Sequence, residues 1–419
     1  MSISHSAPSM RQALAIALGL SLATAIALGF GRFSYALLLA PMRDDLGWSY
    51  LLAGAMNTAN AVGYLLGALV TPLLLQRLGA QRVLLGGALS ACLFLFGSAL
   101  VPGTSPQLLL RLLAGLSSAL IFVAGGLLSA RLAALHPHRA GLLIGIYYGG
   151  TGVGIVLSSL LVPPAIALAP MLFGGAGGDG PGLLHGFIGS NLAGHGWKAA
   201  WMLLALLSLL STVGLLQAAR RIPVPPPQAR GGSGFRPGDF VYALAGYVLF
   251  GAGYIGYMTF IVALLKQQGM SGGGIVVFYS LLGVGVIVSS RIWAGMLDRF
   301  RGGQSLAILC ALLALATAIP ALTASPPAIY FSGLLFGAVF LSVVASTTVL
   351  VRHNLPQSAW PGGIGAFTIV FALGQIIGPT VAGWVSDHSG SLRTGLKVSA
   401  AALLLGALLA WRQRALPHA

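Results

Sequence analysis

Two arginines within long apolar stretches are the residues of this sequence best suited to hold a charged ligand. Arg32 lies in an apolar run over residues 13–40, and Arg111 is the fifth residue of a run over 107–134. A charged side chain at bilayer depth costs roughly 2.5–3.5 kcal/mol, so it usually faces protein or water. Neither run contains an acidic residue that could neutralise the cation. Because a guanidinium can hold a carboxylate with two parallel hydrogen bonds, the pair predicts a site for an anion.

A structural role is the alternative for both arginines. Backbone carbonyls and water could satisfy the guanidinium groups, or the long side chains could extend outward to the membrane surface. A ligand would then be a neutral sugar or an apolar drug. The sequence leaves both interpretations of Arg32 and Arg111 open.

Neutral polar side chains in the apolar stretches form a second group of candidates. Asn57, Asn60 and Tyr64 are spaced i, i+3, i+7, which places them in one stripe of a helix. Such residues could contact a ligand, or they could join neighbouring helices by hydrogen bonds. The complete set of candidates for ligand contact is Arg32, Tyr35, Asn57, Asn60, Tyr64, Arg111, Tyr254, Tyr257 and Gln375.

No pattern in the sequence predicts an enzyme, a metal site or a cofactor site. Cys92 and Cys310 each lie in an apolar run, which is typical of core residues rather than of a metal-ligand pair or a disulfide. The glycine-rich segment 150–154 lacks the preceding strand of a dinucleotide-binding loop. The sequence also contains no P-loop, so we do not expect ATP to drive the protein directly.

The composition indicates a protein whose solvent is largely lipid. Of its 419 residues 57% are hydrophobic and 7% are charged, whereas soluble proteins carry about 25% charged residues. A membrane helix needs about 20 apolar residues, and a helix pairs all of its own backbone groups in lipid. The sequence therefore predicts an all-α membrane protein. The twelve predicted helices are 13–40, 50–75, 83–101, 107–134, 140–168, 198–219, 239–265, 274–297, 304–323, 327–351, 362–386 and 393–411.

The distribution of basic residues predicts the orientation in the membrane. With the N-terminus in the cytoplasm, fourteen of the 22 Lys and Arg residues lie in cytoplasmic segments, five lie in the opposite loops and three lie within helices. This positive-inside bias predicts a multi-pass protein of the bacterial inner membrane with both termini in the cytoplasm. Because the cations do not form one patch, the net charge of +16 does not predict nucleic-acid binding.

The two halves of the sequence are similar in organisation. The segment around Gln76 and Arg77 recurs 222 residues later around Asp298 and Arg299, and the same offset relates the starts of the first five helices to those of helices seven to eleven. We therefore expect a six-helix bundle over 1–219, a cytoplasmic linker over 220–238 and a second six-helix bundle over 239–419. Transporters built from such repeats bind their substrate at the repeat interface.

Several motifs resemble those of the major facilitator superfamily. Pro72, Gln76, Arg77, Gly79 and Arg82 are similar to its motif after helix two, although Gln76 stands in place of an aspartate. The sequence Asp298-Arg299-Phe300-Arg301 is similar to the second copy, and Arg111-Leu-Leu-Ala-Gly115 is similar to the motif of helix four. The resemblance implies two pseudo-symmetric six-helix bundles, a cavity lined by helices one and four, and gating roles for Arg77, Asp298 and Arg299.

A narrower resemblance is to the bacterial YbfB/YjiJ group of major facilitators. It is carried by Gly29-Phe-Gly-Arg32-Phe-Ser-Tyr35, by Thr58-Ala-Asn60 and by Gly63-Tyr64 in the first half, and by Gly374-Gln375-Ile-Ile-Gly378-Pro379 with Asp387 in the second half. The group implies a transporter fold, and it does not imply a substrate.

The sequence as a whole predicts a monomeric secondary active transporter that moves a small solute by alternating access, with a small organic anion as the expected substrate. The alternatives are an exporter of neutral sugars or drug-like compounds and a non-transporting membrane sensor. The sequence has no glutamate, and its six aspartates fall in loops or at helix ends. Because a titrating carboxylate within the helices is usual in proton-coupled carriers, coupling to a proton and the direction of transport stay open.

Overall fold

A computed structural model of the protein describes residues 8–101, 103–173, 195–222 and 235–416. Within these residues, twelve helices are long and apolar enough to cross a membrane. In chain order they are α1 (Met10–Leu46), α2 (Tyr50–Leu78), α3 (Ala80–Leu100), α4 (Thr104–Ala134), α5 (Ala140–Phe173), α6 (Gly196–Ala219), α7 (Val241–Gln267), α8 (Gly272–Ile292), α9 (Gln304–Leu322), α10 (Pro326–Asn354), α11 (Trp360–Ser389) and α12 (Leu392–Trp411). The predicted all-α fold with twelve membrane helices is confirmed.

Local sequence signals mark where several helices begin and end. Ser9 opens α1 with a capping box, in which its hydroxyl accepts from the backbone of Gln12 and the Gln12 side chain accepts from the backbone of Ser9. Ser49 caps α2 in the same position. Gly47 ends α1 in the left-handed conformation at φ 65°, which glycine adopts without a steric cost.

Two helices extend well beyond their predicted ends. The helix α1 continues beyond residue 40 to Leu46 and includes Arg43 and Asp44, because water replaces lipid at the membrane surface and polar residues there no longer interrupt a helix. The helix α5 reaches Phe173, although it was predicted to end at residue 168. Prolines within α5 did not end it, since neighbouring helices can satisfy the carbonyls that a proline leaves free.

The predicted eighth helix, 274–297, is interrupted. The helix α8 ends at Ile292, and a separate short helix spans Ala294–Arg299. Trp293 lies at the break, and its Nε1 donates to the carbonyl of Ala338 on α10 at 2.8 Å. This bond to a neighbouring helix holds the backbone at the point where α8 changes direction.

Each half of the chain forms a bundle, and the packing within the two bundles is equivalent. In the first half α2 packs on α4, α1 packs on α5 and α6, and α3 packs on α4 and α6. In the second half α8 packs on α10, α7 packs on α11 and α12, and α9 packs on α10 and α12. Every pair of the second list is the pair of the first list shifted by six helices, which is the packing expected of a sequence repeat.

Two helix pairs join the two bundles, and the sequence repeat relates one pair to the other. The helix α2 packs on α11, and α8 packs on α5. Glycine allows both approaches. A Cβ on Gly54 would collide with the carbonyl of Pro379, and a Cβ on Gly152 would collide with the carbonyl of Gly283. Small residues at these crossings permit close backbone contact between membrane helices.

The contact between the bundles is restricted to one end of the molecule. We call the end that carries Met10 and Trp411 the terminal face, and the end that carries Asp45 and Asp387 the distal face. In the described residues, every side-chain hydrogen bond between the bundles lies near the distal face or at mid-depth. They are Asp387 to Tyr50 and Leu51, Gln267 to Tyr50, Thr58 to Ile376 and Thr380, Asn57 to Thr259, Tyr279 to Phe33, and Ser159 to Ser280.

Toward the terminal face, a cavity separates the bundles. It has a volume of about 520 Å³ and is lined by residues of α1, α5 and α8 and by Ala294. The helix α5 contributes mainly glycines and aliphatic side chains, and α8 contributes Ile287, Val288 and Arg291. The protein is therefore closed on the distal face and open between the bundles on the terminal face.

Candidate functional site

Arg32 lies in a segment of α1 that is wound more widely than an α-helix. Residues Ala25–Phe33 form a π-helix, which contains Gly29 and Gly31. The hydrogen bonds of a π-helix run from residue i to residue i+5, and such segments are frequent at functional sites. The wide turn places the backbone of this segment against α4, α5 and α8.

The neighbouring helices satisfy carbonyls of this π-helical segment. Side chains from both bundles donate to three of them, so the segment is fixed from two sides. The bonds are Ser118 Oγ to the carbonyl of Ala27 at 2.8 Å, Arg111 Nη1 to that of Gly31 at 2.9 Å, and Tyr279 Oη to that of Phe33 at 2.6 Å.

Arg32 is buried without a partner for its charge. Its exposed fraction is 3%, and its Nε and Nη2 atoms have no hydrogen-bond partner among the described residues. The salt bridges in the described part of the chain involve Arg43 and His195, and none involves Arg32. The Arg32 Cζ lies 5.7 Å from the centre of the Tyr64 ring. A buried cation with free donors is a group that an anionic ligand would stabilise.

Arg111 is also buried, and its environment differs from that of Arg32. Its Nη1 donates to the carbonyl of Gly31 at 2.9 Å, and its Nη2 donates to Asn57 Oδ1 at 2.8 Å. Its Cζ lies 4.7 Å from the centre of the Tyr35 ring, while the Tyr35 hydroxyl donates to the carbonyl of Ala53 at 2.9 Å. Two of its nitrogens therefore hold α1 and α2 together.

Asn57 carries this network from one bundle to the other. Besides accepting from Arg111, it donates through Nδ2 to Thr259 Oγ1 at 2.8 Å. Asn60 donates to the carbonyl of Arg111 at 3.1 Å, and its Oδ1 has no described partner. The stripe predicted on α2 is thus divided, since Asn57 and Asn60 bind helices while Tyr64 lies beside Arg32.

Tyr254 and Gln375 form a buried pair in the second bundle. Tyr254 stacks on Phe340 with 6.1 Å between ring centres, and its hydroxyl donates to Gln375 Oε1 at 2.8 Å. Both side chains are buried, and the Gln375 Nε2 has no described partner. Phe33, next to Arg32, packs edge-on against Phe340 at 5.6 Å between ring centres.

Tyr257 lies apart from this group. Its hydroxyl is 2.9 Å from Ser332 Oγ on α10, and its ring stacks on Phe336 with 4.1 Å between centres. Tyr254 and Tyr257 therefore have different surroundings, although their spacing placed them on one helix face. A spacing of three residues separates the two side chains by about 60° around the axis of α7. Tyr257 therefore contacts α10, whereas Tyr254 contacts α11.

The residues predicted to act in gating lie on the terminal face. Arg77, Asp298 and Arg299 are exposed, and no salt bridge involves them within the described residues. Arg299 lies over the ring of Phe300, with 6.0 Å between Cζ and the ring centre. These residues are therefore unpaired in a conformation whose terminal face is open.

Thr259 is a contact that the sequence did not single out, whereas Asp387 was noted in the resemblance to the YbfB/YjiJ group without a predicted partner. Both make hydrogen bonds between the bundles. An isolated threonine in an apolar helix carries no signal of its partner. In the described residues no group of three or more His, Cys, Asp or Glu side chains could hold a metal ion.

The sequence is similar to known transporters over most of its length. A family model described as "Uncharacterised MFS-type transporter YbfB" matches residues 24–411. A putative tartrate transporter of Agrobacterium vitis is 27% identical over 88% of this chain and 83% of its own length. Monocarboxylate transporter 11 of Homo sapiens is 28% identical over 87% of this chain and 74% of its own length. These relatives are transporters and not enzymes.

Solved structures show the same fold at lower sequence identity. A bacterial homolog of the human lysosomal transporter Spinster, in an inward-facing and unoccupied conformation, aligns with a TM-score of 0.71 at 14% identity, covering 96% of this chain and 97% of that one. The nucleoside transporter NupG aligns with a TM-score of 0.66 at 15% identity, covering 95% and 97%. The chain belongs to the YbfB-type family of major facilitator superfamily transporters.

Proposed function

We propose that this protein is a secondary active transporter that moves a small organic anion across the bacterial inner membrane by alternating access. Arg32 is the group that binds the anion. The observation that carries the proposal is the burial of this arginine with two free nitrogens and no neighbouring acid. A carboxylate entering from the cavity would replace the water that burial has removed from the guanidinium.

Arg111 holds the backbone around this site in place. Its bonds to Gly31 and Asn57 fix the backbone that carries Arg32 and the first turns of α2. Its positive charge adds to the field at the anion site, while its Nε remains without a described partner. Tyr64 and Gln375 supply neutral contacts around the ligand, and Tyr254 holds the Gln375 amide. Tyr35, Asn57 and Asn60 mainly hold the surrounding helices.

The named relatives favour the same class of substrate. One is called a putative tartrate transporter and the other a monocarboxylate transporter, and both names refer to carboxylate anions. Each relative covers most of this chain. A solute with a carboxylate is therefore the substrate class that suits both the relatives and the free donors of Arg32.

The conformation supports transport by alternating access. The bundles touch near the distal face and are separated by the cavity toward the terminal face. With the termini in the cytoplasm, as the basic residues predict, this state opens inward. An outward-open state would have to break the contacts of Asp387, Asn57 and Thr58 and close the cavity beside α5.

Ligand binding to the purified protein tests the proposed substrate class. A ligand that binds only the folded state raises the melting temperature, and the rise grows with the logarithm of the ligand concentration relative to Kd. We expect carboxylates such as lactate and 3-hydroxybutyrate to raise Tm, while the matched uncharged compounds propane-1,2-diol and butane-1,3-diol do not. Arg32→Gln should remove the shift and Arg139→Gln, at an exposed position, should retain it. Stabilisation by the diols alone would favour a carrier of neutral sugars.

A further inference from the structure

A buried amide in the second bundle has an unused hydrogen-bond donor. Gln375 lies on α11 with an exposed fraction of 1%. Its Oε1 accepts from the Tyr254 hydroxyl at 2.8 Å, while its Nε2 has no partner in the described part of the chain. Because the hydroxyl fixes the amide oxygen, the NH2 group is held in one orientation. A buried donor without a partner is costly, so it indicates a ligand or a water that satisfies it.

A chain of aromatic contacts connects the free amide to the segment that carries the free guanidinium. Tyr254 binds Gln375 and stacks on Phe340, and the Phe340 ring contacts Phe33, which is next to Arg32. Arg32 comes from the first bundle and Gln375 from the second, so a ligand that uses both donors would bridge the two halves.

The chemistry of the two donors differs. The Arg32 guanidinium carries a full charge and suits an ionised carboxylate. The Gln375 amide is neutral and suits a hydroxyl or carbonyl oxygen. A second carboxylate would need a second cation, and the Nη atoms of Arg111 are already bound to Gly31 and Asn57. One charged and one neutral acceptor therefore match the donors better than two charges.

We infer that the substrate is a hydroxy or oxo acid with one carboxylate, which binds Arg32 through the carboxylate and Gln375 through its hydroxyl or carbonyl oxygen. The inference rests on the proposed anion transport and adds Gln375 as the residue that selects the second functional group. Tyr254 is a positioning residue, because it holds the amide and leaves the ligand to Gln375. A substrate that contacts both bundles at once would also stabilise a state in which the bundles close around it.

Uptake of matched acids into proteoliposomes tests the inference. The pairs lactate and propionate, pyruvate and propionate, and 3-hydroxybutyrate and butyrate differ in the oxygen but share the carboxylate. We expect the wild-type protein to prefer the oxygenated member of at least one pair by about tenfold, the usual effect of one hydrogen bond to a well-placed group. Gln375→Met keeps the length of the side chain and should abolish the preference, because it removes the donor to the second oxygen.

Further variants separate recognition from structure. Gln375→Glu can still accept from Tyr254 but cannot donate, and its charge opposes the anion, so uptake of every acid should fall. Tyr254→Phe releases the amide and should lower the preference about threefold. Gln304→Met is the matched control, because Gln304 lies on the terminal face, and it should behave as the wild type.

The outcomes are distinct. If Gln375→Met and Tyr254→Phe leave the ratio of each pair unchanged, or lower both members equally, Gln375 does not select the substrate. If Arg32→Gln abolishes uptake of all acids while these variants keep the wild-type ratio, the inference is wrong and the anion site stands. If the wild-type protein transports none of the acids, the proposed function and this inference both fail.

Discussion

Asp387 binds the backbone of Tyr50 across the boundary between the two bundles. Its Oδ1 accepts from Tyr50 N at 2.9 Å, and its Oδ2 accepts from Leu51 N at 2.8 Å. These amides begin α2 and have no partner within the helix, and a carboxylate at a helix N-terminus also meets the positive end of the helix dipole. A side chain from the end of α11 thus caps α2 and closes the distal face.

Asp387→Asn is expected to loosen this closure. The amide keeps one acceptor oxygen and loses the charge, so the population open at the distal face should rise a few-fold. Spin labels at Ser105→Cys, exposed in the first turn of α4, and at Ala324→Cys, exposed in the loop before α10, would report the opening as a longer distance. Asp44→Asn removes a neighbouring exposed carboxylate that pairs with Arg43, and it should leave the distance unchanged. An identical distance in Asp387→Asn would contradict the closing role.

Asp298 is expected to act on the opposite face. We predict that Asp298 and Arg299 help to hold the terminal face shut when the distal face opens. Asp298→Asn should shift the protein toward the state in which the terminal face is open. A cysteine at Leu142, which lines the cavity, should then react a few-fold faster with a polar reagent. Asp239→Asn, at another exposed acid of this face, is the control, and an unaltered rate in Asp298→Asn would refute the prediction.

Arg111 is expected to affect the stability of the fold more than Arg32 does. Arg111→Gln leaves the carbonyl of Gly31 and the amide oxygen of Asn57 without their donor, which costs about 1–3 kcal/mol for each unsatisfied buried group. The melting temperature in detergent should fall by several degrees, and Arg111→Lys should lose less because it retains one donor. Arg32→Gln removes no hydrogen bond and should leave Tm nearly unchanged. Equal losses in the two Gln variants would argue against different roles.

The orientation gives a prediction about reporter fusions. A reporter fused after Arg220 should lie in the cytoplasm, and one fused after Gly177 should lie in the periplasm, because an odd number of helices separates the two positions. Gly177 is outside the described residues, so this test also covers the segment between α5 and α6. Alkaline phosphatase activity and fluorescence of a cytoplasmic reporter would distinguish the sides. Placement of both reporters on one side would contradict the twelve-helix topology.

The helices could be predicted because lipid imposes a simple rule on the sequence. A run of about 20 apolar residues is sufficient to define a membrane helix, and the recurrence of Gln76-Arg77 as Asp298-Arg299 reveals the repeat. Helix ends were less accurate, as at Asp44 and Asp45, because hydropathy does not register a helix that continues into water. The π-helical winding around Arg32 also left no recognisable pattern.

The different roles of the candidate site residues could not be predicted either, because they depend on contacts between helices. Arg32 and Arg111 have the same residue type in similar apolar runs, and only the structure shows that Gly31 and Asn57 occupy one of them. Tyr254 and Tyr257 likewise share a spacing but have different neighbours. Sequence spacing defines the face of a helix, whereas the partner of each side chain depends on contacts between distant parts of the chain.

Anion uptake by Arg32 variants in proteoliposomes is the most direct test of the account. We expect Arg32→Gln to insert normally and abolish uptake of the carboxylate that the wild-type protein carries, and Arg32→Lys to retain part of it, because lysine keeps the charge and loses the planar fork. Arg139→Gln, at an exposed arginine, should transport at the wild-type rate. If Arg32→Gln is correctly inserted and still transports its substrate at the wild-type rate, Arg32 does not bind an anion and the account is wrong.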